Sequence, residues 1–125
     1  MDSVSTAIPG DALIVAPSGR LDASSAARLG QEISSLLNQD EARVIVNLAD
    51  VHYLSSSILR VLLKAHRRAN QTGGALALCC LQPQVLRVFE WVGFDQVLTI
   101  CADEDDARRA LLSTMPPRAP GGSRP

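Results

Sequence analysis

RVIVNLADVHYLSSSILRVLLKAHRRANQTGGALALCCL, residues Arg43 to Leu81, decides the fold. Its opening run, Arg43 to Leu48, is rich in β-branched side chains and predicts a strand. Ser56 to Gln71 predicts a helix, with Gly73-Gly74 as its stop. Ala75 to Leu81 is apolar at almost every position, which suits a strand buried on both faces. A strand, a helix and a second strand in this order predict a parallel pair joined by a right-handed crossover. Ser55, Ser56 and Ser57 stand where the loop turns into the helix. Loops of that kind, beyond the carboxyl ends of the strands, are where open α/β sheets place their working sites.

The flanks extend the pattern. Ala12 to Ala16 predicts a strand closed by the turn Pro17-Ser18-Gly19. Asp22 is placed to cap a helix over Ala23 to Asn38, where Ala26, Leu29, Ile33, Leu36 and Leu37 share one face. Beyond Leu81, Pro83 opens a helix with Val85, Val88, Phe89 and Val92 on its apolar side, and Gly93 ends it. Val97 to Ile100 predicts a last short strand. The acids Asp103 to Asp106 followed by Arg108 and Arg109 predict a final helix oriented to suit its dipole. The expected fold class is α/β, a mostly parallel sheet of four to five strands with about four helices. Residues 11–113 form the expected domain. Residues 1–10 read as a flexible terminus or weak edge strand, and 114–125 as a disordered Pro/Gly-rich tail.

Composition narrows the function. The chain has 125 residues, which suits one domain, and is 46% hydrophobic and 20% charged. A formal net charge of −1 gives no global reason to expect a nucleic-acid partner. The start lacks a secretory pattern, and the longest apolar run, Ala75 to Leu81, is too short to insert in a membrane. Three cysteines suggest reduced thiols in a cytoplasmic protein rather than a disulfide framework. Cys79 and Cys80, adjacent on a strand, are expected on opposite faces.

Enzyme motifs are missing. There is no G-x-x-x-x-G-K-[ST] and no G-x-S-x-G. His52 and His66 stand fourteen positions apart without neighbouring ligands, so no metal site is expected. Ser56 and His66 are separated by about 15 Å of helix, too far for a nucleophile and its base. His66 is expected half-buried beside Leu59, Leu62 and Leu63. The reading calls for no catalytic residue, no cofactor and no metal.

The serines admit two readings. Ser55 suits an N-cap, accepting from the backbone N–H of Ser57 or Ile58. A phosphoserine in the first turn would instead add about −1.5 to −2 charge beside outward-pointing N–H groups. The fold tolerates that charge, whereas a docked partner is repelled. Beyond the serines, Arg60, Lys64, Arg67 and Arg68 form a basic stripe, either a solvated face or a docking surface for an acidic groove.

The runs GRLDASSAARLGQEI, VIVNLADV, YLSSSILRVLL and VLRVFEWVGFDQVLTI resemble a bacterial STAS domain of the anti-sigma factor antagonist kind, over about residues 10 to 112. Matched to the family loop D-S-S-G-L, Ser55 falls on the aspartate, Ser56 on the phosphorylated serine, Ile58 on the glycine and Leu59 on the leucine. The resemblance implies phosphorylation of Ser56, with Ser55 and Ser57 as alternative acceptors. It implies a GHKL-type serine kinase that doubles as the anti-sigma factor, and a PP2C-type phosphatase. The implied partner surface comprises Asp22, His52, Tyr53, Ser55, Ser56, Ser57, Ile58, Arg60 and Lys64. Within it Tyr53 is expected partly buried, His52 at the rim, and Ile58 as added bulk where a kinase approaches. The alternative is a STAS scaffold that does not switch, in a stress-signalling assembly or beside a lipid transporter.

Overall fold

The structure, a computed structural model, describes residues 5–7, 12–38 and 42–114. In chain order the elements are β1 (Ser5–Ala7), β2 (Leu13–Val15), β3 (Gly19–Leu21), α1 (Ala23–Leu36), β4 (Arg43–Asn47) and β5 (Val51–Leu54). There follow α2 (Ser56–Gln71), β6 (Ala75–Cys79), α3 (Pro83–Val92), a 3-10 turn at Phe94–Gln96, β7 (Thr99–Cys101) and α4 (Glu104–Thr114). The main sheet has the order β1-β2-β4-β6-β7 and is parallel except for β1, which pairs antiparallel at the edge. A separate two-stranded parallel sheet joins β3 to β5.

Side-chain alternation divides the interior in two. Val44 and Val46 of β4 and Leu76 and Leu78 of β6 enter a large core with Leu29 and Ile33 of α1, Ile58 and Leu62 of α2 and Phe89 of α3. Ile45, Ala75, Ala77 and Cys79 face the other way, against Ala107 and Leu111 of α4. Every residue of β6 is therefore buried, which explains why the run reads as continuously apolar. Each fully buried Leu or Ile contributes about 1.5–3 kcal/mol relative to exposure.

The helix expected over Ser56 to Gln71 has those bounds. Its end is held by Thr72, whose hydroxyl donates to the carbonyls of Arg68 (3.3 Å) and Ala69 (3.2 Å). Other bounds differ for local reasons. α1 stops at Leu36, because Leu37 leaves helical geometry with ψ 0°. β6 stops at Cys79, because Cys80 has a left-handed φ of 64°. The last strand starts later than Val97, since the N–H groups of Val97 and Leu98 turn back onto the Phe94 carbonyl. β3 and β5 are strands beyond those expected: β3 takes up the end of the expected turn Pro17-Ser18-Gly19, and β5 the segment before the serines. Residues 5–7 form an edge strand; of the expected tail, 114–125, Thr114 is the last residue of α4 and 115–125 lie outside the described residues. Among the described residues no helix is long and apolar enough to cross a membrane.

Two glycines separate packing from propensity. A β-carbon on Gly74 would fall inside the van der Waals shell of the Ala42 carbonyl, which belongs to the backbone and cannot swing away. One on Gly30, inside α1, would meet Val61 at an ordinary 3.6 Å. Urea denaturation should show Gly74→Ala destabilised by at least about 1–3 kcal/mol. Gly30→Ala should be stabilised by about 0.5–1 kcal/mol.

Candidate functional site

The short parallel sheet builds the site. Leu21 pairs with Leu54 and Arg20 with Tyr53. The leucines are buried, while Arg20 and Tyr53 point outward with the guanidinium 4.0 Å from the ring centroid. The Ser55 N–H donates to the Leu21 carbonyl at 2.9 Å. Asp22 and Ser55 thus follow paired strand ends, and the starts of α1 and α2 lie along one edge. The G-R-L-D loop and the serine loop open on the same side.

Asp22 caps α1. Its carboxylate accepts from the Ser24 N–H (3.1 Å), the Ser24 hydroxyl (2.6 Å) and, at the long limit, the Ser25 hydroxyl (3.4 Å). The Ser24 hydroxyl, more than the backbone N–H groups, holds the carboxyl below its usual value.

Ser55 occupies the N-cap position of α2, but the expected side-chain bond to Ser57 or Ile58 is not made. Its carbonyl starts the helix, accepting from Ile58 (3.0 Å) and Leu59 (3.2 Å), while its hydroxyl is buried without a partner. Ser56 is exposed and Ser57 half-buried. Ile58 corrects the sequence reading. Its side chain is fully buried in the large core, so it adds no bulk to the surface that a partner meets.

Arg60, Lys64, Arg67 and Arg68 are exposed, opposite the buried face of Ile58, Leu59, Leu62, Ala65 and Ala69. Arg68 reaches across to the Asn38 side-chain oxygen at 3.2 Å. Lys64 and Arg68 border a groove of about 710 Å³ between α1 and α2, floored by Ala26, Gly30 and Ala65. No local pattern announces this groove, because helices distant in the chain line it together. His52 is exposed and Tyr53 retains 41% exposure, less buried than expected because Arg20, not the core, covers its ring. His66 is half-buried and faces Asn70 at 3.3 Å, and burial, then Arg67, keeps its pKa low. Arg20 was missed as a site residue; its place in G-R-L-D, two residues before Asp22, was the available signal.

Against known proteins, the model of the STAS domain family matches residues 3–107. The chain belongs to the STAS domain family. It is 32% identical over 104 residues to an anti-sigma factor antagonist of Bordetella bronchiseptica, BtrV, covering 83% of this chain and 90% of that one. An anti-sigma factor antagonist from Mycobacterium paratuberculosis superposes with a TM-score of 0.79 at 22% identity, covering 89% of this chain and 93% of that one. The anti-sigma factor antagonist SpoIIAA in its unphosphorylated form gives 0.73 at 19% identity, covering 87% and 96%. The phosphorylated form of SpoIIAA, from Bacillus, gives 0.67 at 18% identity, covering 87% and 99%. At these identities the structural likenesses speak for the fold alone.

The Asp22 cap makes a pH prediction. A carboxyl whose folded pKa is depressed stabilises above its unfolded value and loses that contribution as pH falls through the folded value. Asp22→Ala should therefore lower the thermal midpoint at pH 7. The gap from the parent protein should close as the solution is acidified below the ordinary aspartate pKa, as followed by circular dichroism.

Proposed function

We propose that this protein is an anti-sigma factor antagonist that works by partner switching. Unphosphorylated, it binds an anti-sigma factor that is also a GHKL-type serine kinase; phosphorylation at Ser56 releases it, and a PP2C-type phosphatase restores it. The observation that carries the reading is Ser56 itself, exposed in the first turn of α2, the residue that the resemblance to the family loop matches to the phosphorylated serine. Similarity to the antagonist BtrV supports it.

The physics of the site agrees. No acidic residue occupies the first turn of α2, so a phosphate there meets unpaired N–H groups without like-charge repulsion from that turn. Arg60 lies one turn further on, at the i+4 spacing that favours an anion followed by a cation. The domain gains rather than loses from the modification. A partner docked over Ser56 must instead desolvate a dianion. Asp22, His52, Tyr53, Ser55, Ser57, Arg60 and Lys64 supply the surrounding surface, and Ile58 supports it from the core. The protein acts in the cytoplasm.

Ser55, standing where the family loop has aspartate, favours a second reading in which the loop binds constitutively and the domain is a scaffold. Phosphosite mapping on the protein from resting and stressed native cells separates the two. Switching requires phosphate on Ser56 with changing occupancy. It also requires Ser56→Asp to bind the kinase at least ten-fold more weakly than the parent, while Ser56→Ala binds as the parent does. Absence of phosphate from all three serines, with unchanged binding by Ser56→Asp, would select the scaffold.

On this reading Arg60→Glu should slow association with the kinase and flatten its salt dependence, leaving dissociation less affected. Stopped-flow measurements at low and high salt read both rates.

A further inference from the structure

Adjacent residues on a strand point to opposite faces, yet Cys79 and Cys80 do not. Cys80 has φ 64°, the only left-handed backbone outside glycine among the described residues. The turn brings its sulfur to 3.4 Å from that of Cys79, to which its thiol donates. Cys80 is half-buried and Cys79 wholly buried. Cys101 lies opposite Cys79 in the β6–β7 register and is also half-buried. Three thiols therefore meet at the carboxyl end of β6, a grouping that the antagonist reading does not use. A non-glycine residue held in the left-handed region is uncommon and carries a cost that the surrounding structure must support.

We propose that Cys79 and Cys80 form a reversible dithiol–disulfide couple oxidised by hydroperoxides. The Cys80 sulfur attacks one oxygen of the hydroperoxide and the O–O bond breaks. The departing alkoxide takes the thiol proton and leaves as alcohol, or as water when the oxidant is hydrogen peroxide. The resulting Cys80 sulfenic acid is attacked by Cys79 sulfur, forming the S–S bond; its hydroxyl leaves with the Cys79 proton as water. Two thiols lose two electrons and two hydrogens, and the peroxide is reduced. Burial holds the Cys79 thiol well above its usual pKa, so the first attack falls to Cys80, and Cys79 resolves by its proximity.

Chain geometry makes the product labile. Neighbouring α-carbons across a trans peptide are about 3.8 Å apart, shorter than the usual disulfide range of about 4.4–6.8 Å, so the ring closes under strain. Strained disulfides are the easily reduced, regulatory ones. The couple also has an outlet. The Cys79 carbonyl accepts from the Leu48 N–H at 3.0 Å, and the Gln82 side chain donates to the Ala49 carbonyl at 2.8 Å. Closing the ring between these two tethers would shift the loop that feeds β5 and the serines.

Trypsin provides the test, because cleavage at Arg68 and Arg87 leaves Cys79 and Cys80 on one peptide and Cys101 on the next. The reduced full chain is treated with equimolar hydrogen peroxide, alkylated without reduction, and analysed by mass spectrometry. The expected result is the 69–87 peptide unalkylated and lighter by two hydrogens, recovered by a thiol reductant. It should persist in Cys101→Ser and vanish in Cys80→Ser. Amide shifts at Leu48, Ala49 and Val51 should move on oxidation and return on reduction. A bond joining the two peptides, an intermolecular dimer, or sulfinic acid on Cys80 with Cys79 still alkylated would each overturn the proposal. So would unmoved shifts at Leu48 to Val51.

Discussion

The burial of β6 on both faces is the constraint on which the rest depends. Leu76 and Leu78 anchor one layer, and Ala75, Ala77 and Cys79 the other. The small side chains face α4, while the leucines fill the wider space beneath α1, α2 and α3. This asymmetry fixes which helices lie on which side. α2 crosses between β5 and β6 on the leucine side, so its amino end emerges beside the carboxyl edge of the short sheet. Ser56 owes its exposure to that crossover rather than to any feature of the serine run.

A second constraint is the pairing of Leu21 with Leu54. Both side chains are buried, and the Ser55 N–H is tied to the Leu21 carbonyl. The two helix starts cannot slide past one another without breaking that bond and exposing leucine. Arg20 and Tyr53 stack on the outer side of the same pair, which adds about 0.5–1 kcal/mol at an exposed site. The surface around Ser56 is therefore rigid before a partner arrives, and less ordering entropy is lost on docking.

Long, strongly patterned elements were legible in the sequence. α2 shows its core stripe, its basic stripe and a two-glycine stop, so its limits could be read directly. β3 and β5 could not. Each is only three or four residues long, and Arg20, His52 and Tyr53 break any apolar alternation. Their pairing is a tertiary fact, set by where the main sheet delivers Val51. Among site residues, Asp22 and Ser56 were visible from local chemistry and motif. The buried state of Ile58 follows from its sharing a helical face with Leu62 and Ala65, a relation present in the spacing, which the match to the loop motif does not carry. Cys80 illustrates the opposite limit: nothing in ALALCCL announces a left-handed residue.

Ile58 also changes how the serine loop should behave. A glycine in the first turn of a helix puts no side chain into the core and leaves the backbone freer. Ile58 instead drives a fully buried side chain between β-sheet and helix, and Leu59 beside it is nearly as buried. The turn that carries Ser56 is pinned from below. Charge added to Ser56 is then not dissipated by local unfolding, since melting the turn would expose both side chains at a cost of several kcal/mol. The serine side stays free while the apolar side is fixed, so the consequence of a phosphate falls on whatever is docked outside. A pinned turn suits a switch that acts by repulsion at the surface, and it suits one that acts by changing shape poorly.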